Sequence, residues 1–168
     1  MDLVIRNLQN KIPLNLLQIK KIARAILRRE SVRKNASLSV VFVTNQKIRA
    51  LNKKFLNVNY ATDVLAFDLR DLGAGQRPRN LKGEKEINGE VIVSTDAVIQ
   101  NAKQYKTTLG RELALYLAHG ILHLLGFDDH GKEDILRMRR KEEEMLEFLV
   151  GKMDRVIERH ARRIKGKG

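Results

Sequence analysis

Residues 112–130 read ELALYLAHGILHLLGFDDH. Leu113, Leu115, Leu117, Ile121, Leu122, Leu124 and Leu125 cover nearly every side of a helix drawn through them, so the spacing predicts a helix over 109–125 that is buried all round. His119 and His123 lie four apart within it, about 40° apart in rotation and about 6 Å in rise, and so share one face. Buried imidazoles need polar partners. Gly126 can take the left-handed conformation that ends a helix and reverses the chain, which would carry Asp128, Asp129 and His130 back towards the two histidines. A third ligand from that turn would complete a site for one zinc ion, with a fourth position open to water. The competing reading is a pair of hydrogen-bonded structural histidines.

Working outward from this helix, strands and helices interleave. Residues 3–5 read as a short strand, 13–29 as an amphipathic helix with Pro13 in its first turn, and 37–44 (SLSVVFVT) as a buried strand. Asn45 is the expected N-cap of a helix through residue 55. Residues 63–69 (DVLAFDL) and 90–94 (EVIVS) give two further strands, separated by a Gly-rich loop over 70–88. Helices follow over 96–104, 109–125 and 132–150. Glu142, Glu143 and Glu144 form an acidic run on the last of these, read as a solvated face without function. No repeat or linker divides the chain. The expectation is α+β: a single mixed sheet of about four strands covered by about five to six helices, in one domain over 1–151 with a basic C-terminal tail over 152–168.

Composition narrows the function. The 168 residues carry 33 Lys plus Arg against 20 Asp plus Glu, a formal charge of +13, and 43% are apolar, enough for a core. There is no Cys, which excludes disulfide-linked partners and thiolate chemistry and suits a cytoplasmic protein. No apolar run is long enough for a membrane helix, and Asp2 stands where a signal peptide would be positive. The excess charge sits at the two ends. In the first helix Lys20, Arg24 and Arg28 follow one another at i+4, a basic ridge that suits the phosphates of RNA and equally reads as a solvated face. His160 lies among the arginines of the tail and is expected in solvent.

The spacing His119-x-x-x-His123 is that of zinc peptidases, but their general-base Glu is replaced here by Gly120, so a shared metal helix with other chemistry is the better inference. The segment from His119 to Asp128 resembles the signature HGxLHLxGyDH of the bacterial YbeY family. LNKKF followed by TDVLAF within 51–67 is similar to that family's LNxxFR and PTDVLSF, and 89–102 (GEVIVSTDAVIQNA) to its GDIxIS-D-A block. The resemblance implies a metzincin-like metal helix and a zinc-dependent, single-strand-specific endoribonuclease. It further implies action in ribosomal RNA processing at the 16S 3′ end and in ribosome maturation, with the small ribosomal subunit as a partner. The alternative is a non-catalytic, metal-stabilised RNA-binding assembly factor; a protease is a distant third.

Three departures from the family stand out. Asp129 holds the place of the third histidine, and His130 follows it; His130 is favoured as ligand with His119 and His123, leaving Asp128 or Asp129 to orient an imidazole or accept a proton. Leu56 stands where the family carries an Arg implicated in cleavage, with Lys53, Lys54 or Arg111 as conceivable substitutes. Asn59 and Ala61 replace an Asp and a Pro.

Overall fold

The computed structural model describes residues 1–72 and 85–165. Four strands, β1 (Asp2–Asn7), β2 (Ser37–Val43), β3 (Val64–Asp68) and β4 (Asn88–Ser94), form one sheet in the order β1-β2-β4-β3. β1 and β4 pair parallel to β2, and β3 closes the other edge antiparallel to β4. The helices are α1 (Leu16–Arg29), α2 (Asn45–Leu56), α3 (Thr95–Gln104), α4 (Leu109–Leu124) and α5 (Lys132–Lys165). This is the α+β arrangement expected, a mixed four-stranded sheet with five helices. None of the described helices is long and apolar enough to cross a membrane.

Strand alternation sorts the core into two layers. Leu38, Val40, Phe42, Val91 and Val93 face one side, where α1, α4 and α5 supply Ile19, Ile26, Leu117, Ile121, Met145 and Leu149. Val41, Val43, Leu65 and Ile92 face the other, which α2 covers through Ile48. The sheet edge at β3 therefore lies beside α2 and α4, and the edge at β1 beside α1.

Caps account for the boundaries that differ from expectation. α1 begins at Leu16 and not at Pro13, because Asn15 is its N-cap and its Oδ1 accepts from the Gln18 N–H at 3.1 Å. α2 is capped by Thr44, whose Oγ1 accepts from Lys47 N–H at 3.4 Å. Asn45 is drawn elsewhere: it accepts from Ser94 Oγ at 2.6 Å, and its own N–H donates to Asp96 at 2.6 Å. α5 runs on to Lys165, so most of the segment expected as a basic tail continues the last helix. The expected 70–88 loop falls largely outside the described residues, as does the side chain of His160; Leu69–Leu72 forms a single 3-10 turn.

One buried charge ties the periphery together. Glu30, at the end of α1 with a side chain only 4% exposed, accepts from Lys85 Nζ at 2.7 Å and Lys141 Nζ at 3.1 Å. Burial works against its charge, but the two ammonium groups prevail and hold its pKa below the ordinary carboxylate value. With a folded-state pKa lowered, Glu30 stabilises the fold above the pKa it has in the unfolded chain. That contribution is lost as pH falls through the folded-state value. Glu30→Gln is therefore expected to destabilise the protein by about 2 kcal/mol at neutral pH. In urea melts the gap to wild type should narrow as pH falls below the ordinary carboxylate range. A gap independent of pH would assign the loss to packing.

Candidate metal centre

α4 is held firmly at both ends. Thr108 Oγ1 accepts from Arg111 N–H at 3.1 Å at the start. At the end Gly126, with φ +93°, donates its N–H to His123 O at 3.0 Å, and Phe127 N–H reaches Leu122 O at 3.1 Å. This pair of bonds is the Schellman closure that a left-handed glycine makes possible. Along its length α4 lies close on β4. A Cβ built on Gly120 would come within 2.5 Å of Val91 Cγ1. The position where a zinc peptidase carries its Glu is thus turned into the sheet and has no room for a side chain, so no general base can stand there.

His119 and His123 meet as their spacing requires, with Nε2 atoms 2.9 Å apart. The outer nitrogen of each is engaged by a group that only accepts: His119 Nδ1–H donates to Glu142 Oε1 at 2.6 Å, and His123 Nδ1–H to Phe127 O at 3.0 Å. Both Nε2 lone pairs then face the same point, and only a cation between them makes that arrangement favourable. A proton is one such cation. For His119, burial opposes the charge, but the Glu142 carboxylate, helped by Asp129 and Asp63, holds the pKa above its ordinary value; for His123, burial and the neighbouring His119 push it below. A metal ion is the other. A tetrahedral ion with bonds of about 2.0–2.1 Å separates two ligand nitrogens by roughly 3.3 Å, within about half an ångström of the spacing found here.

Asp129 completes a group that can hold an ion, its Oδ2 lying 3.8 Å from His119 Nε2 and 3.6 Å from His123 Nε2. His130, with a side chain 87% exposed, bonds to Asp128 Oδ1, and its Nδ1 lies 3.7 Å from Asp129 Oδ1. Asp128, Asp129 and His130 thus form a second, overlapping cluster on the same turn.

These groups open into a cavity of about 620 Å³ against the β3 edge. α2 contributes Asn52 and Leu56; the following loop and β3 contribute Tyr60, Thr62, Asp63, Leu65 and Asp68. No Lys or Arg is among the described lining residues, although Arg70 borders them, donating to Asp68 Oδ2 and Leu124 O at 3.2 Å each. Leu56 sits in the wall, 54% exposed. Lys53 and Lys54 are exposed on α2 outside the lining, and Arg111 is in the first turn of α4, about 12 Å of helical rise before His119. Lys20, Arg24 and Arg28 line up on α1, beside the far edge of the sheet.

Sequence reasoning missed Glu142, assigning its acidic run to solvent. A signal was present: Glu142 stands four residues after Met138 and three before Met145, both buried, so it interrupts the apolar stripe of α5 where that stripe meets α4. Asn52, Tyr60 and Asp63 were missed as well, because nothing in their local spacing distinguishes them.

The sequence profile described as "Endoribonuclease YbeY" matches residues 4–150. Among relatives carrying that description, the Pelotomaculum thermopropionicum protein is 36% identical over 152 residues, covering 87% of this chain and 95% of its own. The Lysinibacillus sphaericus protein is 33% identical over 129 residues, covering 77% and 82%. The solution structure of TM1509 from Thermotoga maritima shares the fold, with a TM-score of 0.59 at 24% identity and 89% of each chain covered.

Carboxylates behind metal-bound histidines fix the ring and its tautomer, and their loss typically lowers metal affinity 10–100-fold. Glu142→Gln is expected to weaken zinc binding within about that range, as read by competition with a chromophoric chelator. Undiminished affinity would reduce Glu142 to a contact between α4 and α5.

Proposed function

The chain belongs to the YbeY endoribonuclease family, and from that premise we propose that it cleaves single-stranded RNA with one zinc ion held by His119, His123 and a third ligand from the 128–130 turn. We place this activity in the cytoplasm, in maturation of the 16S ribosomal RNA 3′ end at or near the small ribosomal subunit. The observation that carries the metal assignment is the pair of Nε2 atoms facing each other at 2.9 Å with both outer nitrogens already committed.

Zinc at this point would supply a Lewis acid for a phosphoryl oxygen and a bound water of lowered pKa. The protein's own groups divide the remaining work. Glu142 and Phe127 O orient the imidazoles. Asp63 is fixed by Val64 N–H at 2.9 Å and Thr62 Oγ1 at 3.2 Å, so its carboxylate stays in the cavity wall as a proton acceptor or a hydrogen-bond partner for water. Whichever of Asp128 and Asp129 is not a ligand serves the same end. The basic face of α1 lies beside β1, three strand spacings or roughly 14 Å from β3, and would hold the RNA backbone away from the cut.

A second reading has one specific observation in its favour. The described lining carries Asp63, Asp68 and Asp129 and no Lys or Arg, and Leu56 stands where the resemblance implies an Arg. Arg70 borders the wall but is engaged by the Asp68 carboxylate and by Leu124 O, so a phosphate there would draw most of its positive charge from the metal. Such a site fits an RNA-binding assembly factor that does not turn over.

One preparation separates the two readings. The expected result is about one zinc per chain by elemental analysis and cleavage of single-stranded RNA that vanishes in His119→Ala. Bound zinc without cleavage above the mutant background would favour the assembly factor, and absence of bound metal would overturn the ligand assignment. The third ligand follows from a pair of substitutions. Asp129→Ala should lower zinc affinity far more than His130→Ala if the carboxylate beside both imidazoles is the ligand, and the reverse order would give the position to His130.

A further inference from the structure

Tyr60 is the largest exposed aromatic side chain at the cavity rim, with 65% of its surface open. It is not loosely tethered. Its carbonyl accepts from Nδ2 of the buried Asn52 at 2.9 Å, which fixes the rim to the middle of α2. On its other side lies a second cavity of about 520 Å³, which Tyr60 shares with Asn45, Gln46, Arg49 and Asn59. Arg49 Nε donates to Asn59 Oδ1 at 3.1 Å. That bond orients the guanidinium and leaves both terminal NH2 groups without a partner among the described residues, a fork of the geometry that takes a phosphate in two hydrogen bonds.

We infer that Tyr60 and Arg49 form a nucleotide subsite for single-stranded RNA next to the metal centre: one base stacks on the Tyr60 ring, and an adjoining phosphate is held by Arg49. The inference rests on the RNA-directed reading above and adds to it the means of strand selection. An exposed ring at a rim accepts the face of a base only when that face is free, which a single strand offers and a duplex does not. The subsite also supplies a cation that the metal cavity lacks, displaced to a neighbouring phosphate rather than placed on the one attacked.

The test uses the full chain and a fluorescein-labelled single-stranded 12-mer RNA beside the same sequence as a duplex. Binding is followed by anisotropy in zinc-loaded protein with 2′-O-methyl versions of both RNAs, whose integrity is checked by gel, and cleavage is followed separately with the unmodified strand. Tyr60→Ala should weaken single-strand binding about tenfold, Tyr60→Phe should restore it to within about twofold of the parent, and neither should change duplex binding. Arg49→Ala should weaken it too and lower the slope of log affinity against log salt by about one. Single-strand affinity equal to the parent in both Tyr60→Ala and Arg49→Ala would overturn the subsite while leaving the nuclease reading intact. Conversely, binding that depends on Tyr60 without any cleavage by the His119-containing protein would overturn the nuclease reading and support the subsite.

Discussion

Helix α4 is enclosed on all but one stripe, the half-buried Arg111, Leu115, His119 and His123, and that constraint orders the rest of the molecule. One flank is held against β4 at Gly120, where even a methyl group would meet Val91, and the opposite flank is closed by α5. Overpacking at such a contact costs on the order of 1–3 kcal/mol, so the approach is specified closely. With sheet and helix both in place, the polar atoms of His119 and His123 have one outlet, at the β3 edge. The site therefore sits where the core ends, and not in a loop added to it.

That arrangement also explains which parts could be read from the chain. The buried helix, the HxxxH face and the reversal at Gly126 are local: each follows from spacing within a few residues, and each stands where the spacing puts it. The start of α1 is set locally by Asn15, two residues after Pro13, whereas at α2 two capping residues compete and tertiary partners decide between them. Asn45 is taken by Ser94 and Asp96, so Thr44 caps. Glu142 was hidden for a related reason. Three consecutive glutamates read as a solvated face, and only the register of α5 on α4 turns one of them inward to His119. Tyr60 and Arg49 owe their shared cavity to a loop path that no periodicity encodes.

Charge is distributed against the net value. A chain of +13 places three aspartates, one of them paired with Arg70, and no Lys or Arg among the described residues lining the cavity of its imidazole pair, while the i+4 basic series of α1 lies beside the opposite edge of the sheet. Carboxylates near a cation site raise its affinity, and the same carboxylates repel a polyanion until the cation is bound. The resemblance implies an Arg in this wall where Leu56 stands, and an Arg there would keep a positive charge in the wall whether or not an ion were bound.

The loss of that Arg need not silence the site, because a phosphodiester chain presents a charge at every nucleotide. A cation that grips the neighbouring phosphate contributes binding and register, whereas a cation on the attacked phosphate contributes to the transition state directly. An Arg in the cavity wall would serve the second role; under the proposed reading, Arg49, one cavity away, would serve the first and leave the stabilisation of developing charge chiefly to the metal. Weak turnover with firm single-strand binding is the physical signature of that division. It also places the nuclease and assembly-factor readings on one continuum, set by how much of the substrate's binding energy is realised only as the bond breaks.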